Sequence, residues 1–319
     1  MSEPVVLLEN VVKRYGGFTA VNDLSFAVAP GEIYGFLGPN GAGKTTTLRM
    51  MLDIINPTSG KILVLGSESA IPVRRRIGYL PEERGLYKKM KAVDSIAYFS
   101  QLRGMSRSDA RKRAIALLEE FGLADFARSK CEALSKGMAQ KVQLLSTIAH
   151  EPELLILDEP FSGLDPINQQ TLEDLIRNQR AAGRTIIFST HVMQHAERLC
   201  DRFLIMAHRQ KRFEGTMREA RASFAQRLHV RTNAPMEALT ALGGVERIRI
   251  EEKNDAETTY EIELEDGADP QAFLERAVAA GITLTRFEQA GATLHDIFVS
   301  LAGDEETTGA SPAMKEAAE

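Results

Sequence analysis

The sequence predicts an α/β fold built on a parallel sheet, followed by a smaller α+β domain. Strand-like and helix-like segments alternate from Val5 to about Gly215. Short all-apolar runs, Leu154–Leu157 and Ile186–Phe188, suit strands buried on both faces of a sheet. Near Ala220 the pattern changes to strands with one polar face.

In order, "PVVLLENVVKRY" and "GEIYGFLG" read as strands, a helix starts at Thr45, and "GKILVLG" and "RRIGYLP" are strands again. Between Leu86 and His150 strand signals stop. There "MSRSDARKRAIALLEEFG" offers Ser106 and Asp109 as a capping box, Ala114, Leu117, Leu118 and Phe121 on one face, and Gly122 as a stop. The strands "ELLILDEP", "RTIIFSTH", "DRFLIMAH" and "KRFEG" follow, with helices after the first two. Beyond them "QRLHVRTN", "GVERIRIEEK" and "TTYEIELED" alternate as half-exposed strands, while "DPQAFLERAVAAG" and "ATLHDIFVSLAG" are amphipathic. The expected organisation is one domain over 1–220, with a helical part at about 86–150, a second over 221–303, and a disordered polar tail over 304–319.

The formal net charge of −5 supplies no basic field, so no nucleic-acid partner is expected. Cys131 and Cys200 fit no metal or redox spacing and read as idle thiols of a reducing cytosol. "MSEPVVLLEN" lacks the basic start and long apolar stretch of an export signal. No window approaches the ~18 apolar residues needed to cross a bilayer, so a membrane role would come through a partner. Arg74, Arg75 and Arg76 read as a solvated face.

Chemistry concentrates in "GPNGAGKTTTLRM". Residues 38–45 fit G-x-x-x-x-G-K-[ST] between a strand and a helix. Gly38, Gly41 and Gly43, with Pro39, Asn40 and Ala42, let successive backbone amides curl inward. They make an anion nest at the positive end of a helix. That nest suits phosphates: Lys44 would reach the terminal ones, Thr46 adds the next amide, and the Thr45 hydroxyl would ligate Mg²⁺. The apolar strand in "LLILDEP" delivers Asp158 and Glu159 to the sheet edge where ligands of parallel sheets gather. Asp158 is the expected Mg²⁺ partner, and Glu159 is placed to polarise a water. His191 ends the next strand and could donate to a terminal phosphate. His195 follows four residues later, but "HVMQH" lacks the glutamate of a zinc protease motif and a third ligand.

These residues resemble the ATP-binding-cassette ATPases over about Val5 to Gly215. "LSKGMAQKVQ", Leu134–Gln143, looks like the family's signature, "SGLDP" at Ser162–Pro166 like its D-loop, and His191 like its switch histidine. "VVKRYGG" places Tyr15 where the family stacks an aromatic on adenine, and "IGYLPEERGLY" corresponds to the Q-loop. The resemblance implies a P-loop cassette with a helical subdomain that binds and hydrolyses ATP with Mg²⁺. Lys44, Glu159 and His191 would be catalytic, and Ser135 and Gly137 would face the γ-phosphate of a second cassette beside Asp165. One loop and one signature imply a homodimer or heterodimer of ATPase subunits.

Two motifs depart from the pattern. Lys136 and Met138 replace glycine and glutamine of the signature, and Glu82 stands where glutamine is common, a carboxylate that could still reach Mg²⁺ but adds negative charge. "YLPEERGLY" and the appended domain look most like bacterial subunits that drive a separate integral-membrane permease, often an exporter. The chain is then cytoplasmic, peripheral on the inner face of the membrane. His208, His229 and His295 form no site, leaving regulation or dimer support as the second domain's expected role. The alternatives are a soluble cassette ATPase acting on DNA or ribosomes, which usually carries two cassettes or a long coiled-coil insertion, and a P-loop kinase. A kinase would leave "SGLDP" and "STH" unexplained.

Overall fold

A computed structural model describes residues 3–83, 85–222, 227–254, 256–265, 267–290 and 293–303. The expected disordered tail, 304–319, lies outside them. The chain divides into two compact units, Met1–Thr216 and Met217–Glu319. The division falls four residues before the expected end at 220, because the short helix starting at Met217 packs on the last helix of the second unit, a pairing no local periodicity reveals.

In the first unit β1 (Val6–Tyr15) and β2 (Phe18–Val28) form a hairpin, then β3 (Ile33–Leu37) runs into α1 (Lys44–Met51). β4 (Ser59–Val64), α2 (Ala70–Val73) and β5 (Ile77–Leu80) come next, and then helices α3 (Ala92–Leu102), α4 (Arg107–Glu120) and α5 (Lys136–Ile148). β6 (Leu154–Leu157), α6 (Pro166–Ala181), β7 (Thr185–Thr190), α7 (Met193–Leu199), β8 (Arg202–Ala207) and β9 (Gln210–Gly215) complete it.

The main sheet runs β5-β6-β7-β3-β8-β9, parallel except for β9. A separate antiparallel sheet, β2-β1-β4, takes strands that the alternation alone would have added to the main one. Successive residues of β6 explain the all-apolar runs. Leu154 and Ile156 pack with α1 and the antiparallel sheet, whereas Leu155 and Leu157 pack with the helices, including α3, α4 and α5. Ser106 caps α4 by accepting from the Asp109 amide at 3.1 Å, and Ala114, Leu117 and Leu118 are buried.

The register of the parallel strands aligns their carboxyl ends. Leu80 pairs with Leu157, Leu157 with Phe188, and Leu37 with Thr190. Strands β5, β6, β7 and β3 therefore end at one edge, and the residues just after them are brought side by side.

The second unit contains α8 (Met217–Ala222), β10 (Arg227–Thr232), α9 (Met236–Thr240), β11 (Val245–Lys253), β12 (Thr258–Leu264), α10 (Pro270–Ala279), β13 (Leu284–Ala290) and α11 (Leu294–Gly303). Its antiparallel sheet runs β11-β12-β10-β13. Leu228, Val230, Tyr260 and Ile262 face a core with Phe273 of α10. On the other face His229 meets Glu251 at 2.8 Å, and Arg227 meets Glu261 and Glu263 at 3.7 and 3.8 Å.

Candidate functional site

The loop after β3 is closed tightly enough to need its glycines. A Cβ at Gly38 would collide with the Met206 carbonyl, and one at Gly43, which sits at φ +101°, would lie 2.6 Å from the Ala20 carbonyl oxygen. Gly41, at φ +80°, is on the open rim with Pro39 and Asn40, while Ala42 is buried and Thr46 half-buried. Gly43 caps α1 with no side chain. The first amides of that helix thus lack the side-chain oxygen most helices supply, leaving an electropositive end for an anion. Lys44 is 5% exposed and donates to the carbonyls of Gly38 at 2.6 Å and Pro39 at 3.3 Å. Its ammonium is also 3.3 Å from Glu159 Oε1.

The ends of β6 and β7 build the acidic half. Asp158 Oδ1 accepts from Ser189 Oγ at 2.6 Å and from Thr45 Oγ1 at 3.2 Å. Asp158 Oδ2 is buried without a hydrogen-bond partner. Burial holds this carboxyl above its usual range, opposed by the Ser189 and Thr45 hydroxyls. Glu159 takes the left-handed conformation, φ +46°, uncommon for a residue with a Cβ. Its amide donates to Ser189 Oγ at 2.9 Å, and its Oε2 is 3.0 Å from His191 Nδ1. Strain of this kind persists only where neighbours over-determine it, and Ser189 together with the Lys44 and His191 contacts does so.

Lys44, Thr45, Asp158, Glu159 and His191 are thus one cluster across three strand ends. Sequence reasoning missed Ser189. Its signal was a polar residue inside the buried run "TIIFST", where a hydroxyl needs a specific partner. Glu82, exposed after β5, lines a cleft of about 470 Å³ with Glu83, Lys136, Gln143, Asp158 and Glu159.

The remaining expected residues stand elsewhere. Ser135 caps α5, accepting from the Met138 amide at 3.3 Å. Asp165 caps α6 and accepts from Asn168 Nδ2 at 2.6 Å, and the bonds from Asn168 hold its carboxyl below the usual range. The same Asn168 amide would lie 2.8 Å from a Cβ at Gly137, so Ser135, Gly137 and Asp165 form a second group of helix starts. Tyr15 is 48% exposed, its ring approached by Lys13 Nζ at 4.8 Å from the centroid, and Arg74, Arg75 and Arg76 lie on the surface. His195 is buried among protein partners.

The cluster can hold a polyphosphate against amides and ammonium. The unpartnered Asp158 oxygen beside the Thr45 hydroxyl is a hard-oxygen pair of the kind a small divalent cation takes.

The profile of the ABC transporter family matches residues 21–162, and that of the ATP-binding protein DrrA1-3-like C-terminal domain matches 215–302. The chain is 36% identical to the ABC transporter ATP-binding protein YhaQ of Bacillus subtilis, over 94% of this chain and 99% of that one. It is 40% identical to the Nod factor export ATP-binding protein I of Burkholderia orbicola, over 67% of this chain and 72% of the relative. A solved ATP-binding subunit of an ABC transporter superposes with TM-score 0.64 at 32% identity, covering 69% of this chain and 92% of that one. A P-loop cassette whose strand ends converge on one cluster of lysine, carboxylates and histidine, alike in sequence across nearly its full length to such proteins, belongs to the family of ABC transporter ATP-binding subunits and is an ATPase.

Proposed function

We propose that this subunit drives a separate integral-membrane permease in the direction of export, working as a dimer of ATPase subunits on the cytoplasmic face of the membrane. The export direction is supported by likeness to a relative named for Nod factor export. Dependence on a permease is consistent with no helix among the described residues being long and apolar enough to cross a membrane.

In the reaction, the amides of residues 38–46 and the Lys44 ammonium bind and orient the phosphates of ATP. Thr45 and Asp158 would hold Mg²⁺, with Glu82 lining the same cleft as Asp158, and the metal would supply neutralisation of phosphate charge. Glu159 accepts a proton from the attacking water, and His191, bonded to it at 3.0 Å, fixes the carboxylate and faces the terminal phosphate. Ser189 holds the Asp158 carboxylate and the Glu159 backbone in place. Tyr15 stacks on the base. Ser135 and Gly137, at the amide end of α5, and Asp165 complete the site of a second copy or a related chain.

The single observation that carries the nucleotide-hydrolysing part of this reading is the contact of Asp158 with Thr45 across 113 residues of sequence, with a buried carboxylate oxygen left over beside it. The test is to purify the subunit from membranes with its bound partners and measure phosphate release with and without them. The expected result is a co-purifying multi-span membrane protein that stimulates hydrolysis, with release lost in Lys44→Met. Hydrolysis indifferent to any membrane protein, with ribosomes or DNA co-purifying instead, would replace this reading by the soluble alternative.

A further inference from the structure

His195 has no part in the hydrolytic chemistry, yet it is the most constrained imidazole near it. It is 6% exposed on α7, four residues beyond His191. Its ring lies face to face on Phe161, with centroids 3.9 Å apart and planes 10° from parallel. Its Nδ1 is 3.3 Å from Glu173 Oε1. Phe161 in turn stands edge-on to Phe188 of β7 at 5.9 Å. Glu173, 2% exposed in the middle of α6, is approached from the outer side by Arg177 and Arg198, each at 3.7 Å.

Each partner is tied by a short, stiff stretch of chain to a residue of the site. Phe161 comes two residues after Glu159, Glu173 belongs to the helix that Asp165 caps, and His195 rides on the helix following His191. Burial pushes the imidazole below its ordinary value of 6.5, so it is neutral at neutral pH. The contact is made with Nδ1–H donating and the Glu173 oxygen accepting. The ring therefore joins three segments by two different interactions: a stack to the segment behind Glu159, and a hydrogen bond to α6.

We propose that His195 is a positioning residue for hydrolysis, the joint between α6, α7 and the Glu159–Phe161 segment that keeps Glu159 and His191 at bonding distance. The inference rests on Glu159 and His191 being the hydrolytic pair. It requires no contact between His195 and nucleotide. A loosened joint leaves the phosphate loop, on β3 and α1, untouched, while displacing the carboxylate and imidazole relative to each other. Misplacement by about 1 Å commonly costs up to about a hundredfold in rate.

The experiment compares His195→Phe, which keeps a ring on Phe161 and removes the donor, with His195→Gln, which keeps an N–H donor for Glu173. Phosphate release and ATP dependence are measured well below the melting temperature. Expected for His195→Phe is a kcat lowered about 10- to 100-fold with KM for ATP within about twofold, and for His195→Gln a kcat recovered to within about fivefold of wild type. Phe161→Leu removes the stack but leaves the Glu173 bond, and should show the same split between kcat and KM. The proposal is overturned if His195→Phe or Phe161→Leu keeps wild-type kcat. It is equally overturned if kcat and ATP binding fall together and glutamine rescues nothing. Glu159→Gln and His191→Ala run alongside: if they hydrolyse normally the hydrolytic pair itself is wrong, and if they fail while the His195 variants do not, only the joint is wrong.

Discussion

Replacing Glu159 by glutamine should separate rate from stability. Its Oε1 lies 3.3 Å from Lys44 Nζ. With an effective dielectric constant near 20 the gross attraction at that separation is about 5 kcal/mol, but removing both charges from water offsets most of it. Lys44 keeps its two carbonyl acceptors in the variant, and glutamine meets the same backbone cost at φ +46° as glutamate. The folded state should therefore lose less than the roughly 3–5 kcal/mol that removing one partner of a buried ion pair commonly costs. The amide is a far weaker proton acceptor than the carboxylate. Loss of a general base commonly costs 10²–10⁴ in rate, roughly 3–5 kcal/mol on the barrier. The assay is phosphate release at saturating Mg-ATP beside nucleotide affinity by fluorescence titration and the nucleotide-induced rise in melting temperature. Expected are intact affinity, an intact thermal shift and a dimer that persists with ATP on size exclusion. Release within about threefold of wild type, with binding normal, would refute the assignment of the proton to Glu159.

Gly43→Ala puts a Cβ 2.6 Å from the Ala20 carbonyl at φ +101°, and should lower stability by about 1–3 kcal/mol and weaken ATP binding, read by melting temperature and KM. Ser135→Ala removes the cap of α5 and should cost about 1 kcal/mol, while ATP binding to the isolated subunit persists and hydrolysis falls. An unchanged rate in that variant would remove the second-copy role of α5. His150 supplies a pH dependence. Burial, with the Arg103 and Arg184 charges, pushes its ionisation down from 6.5 to about 4, so the unfolded chain binds the proton more readily. Its contribution is complete above 6.5 and is lost as pH falls toward 4, up to about 3 kcal/mol. His150→Gln should flatten the melting-temperature profile across that window, and an unchanged profile would show that His150 does not carry it.

The phosphate loop was legible because its chemistry is local: eight consecutive residues make the turn, and strand and helix signals flank them. Strands buried on both faces were legible for a similar reason, since Leu154–Leu157 has no polar residue to expose. What could not be read were relations between distant residues. That β1, β2 and β4 leave the main sheet depends on pairing partners, not on periodicity. Ser189 is one hydroxyl in an apolar strand, and only the register of β6 against β7 sets it beside Asp158 and Glu159. The four-residue spacing of His191 and His195 would put them on one face of a helix, but α7 begins only at Met193. The first histidine turns toward Glu159 and the second inward onto Phe161 and Glu173, a divergence set by packing.

The Lys44 ammonium, hydrogen-bonded to the carbonyls of its own loop and ion-paired with Glu159, would make ATP arrival an exchange of partners and not the filling of an empty hole. On the proposed reading, a cation drawn toward phosphate would give up its ion pair with Glu159, and Oε1, buried with no hydrogen-bond partner, would be left to meet a water. Entry of the fuel would thereby also unlock the group that polarises water, and the resting ion pair would act as a safety catch against idle turnover.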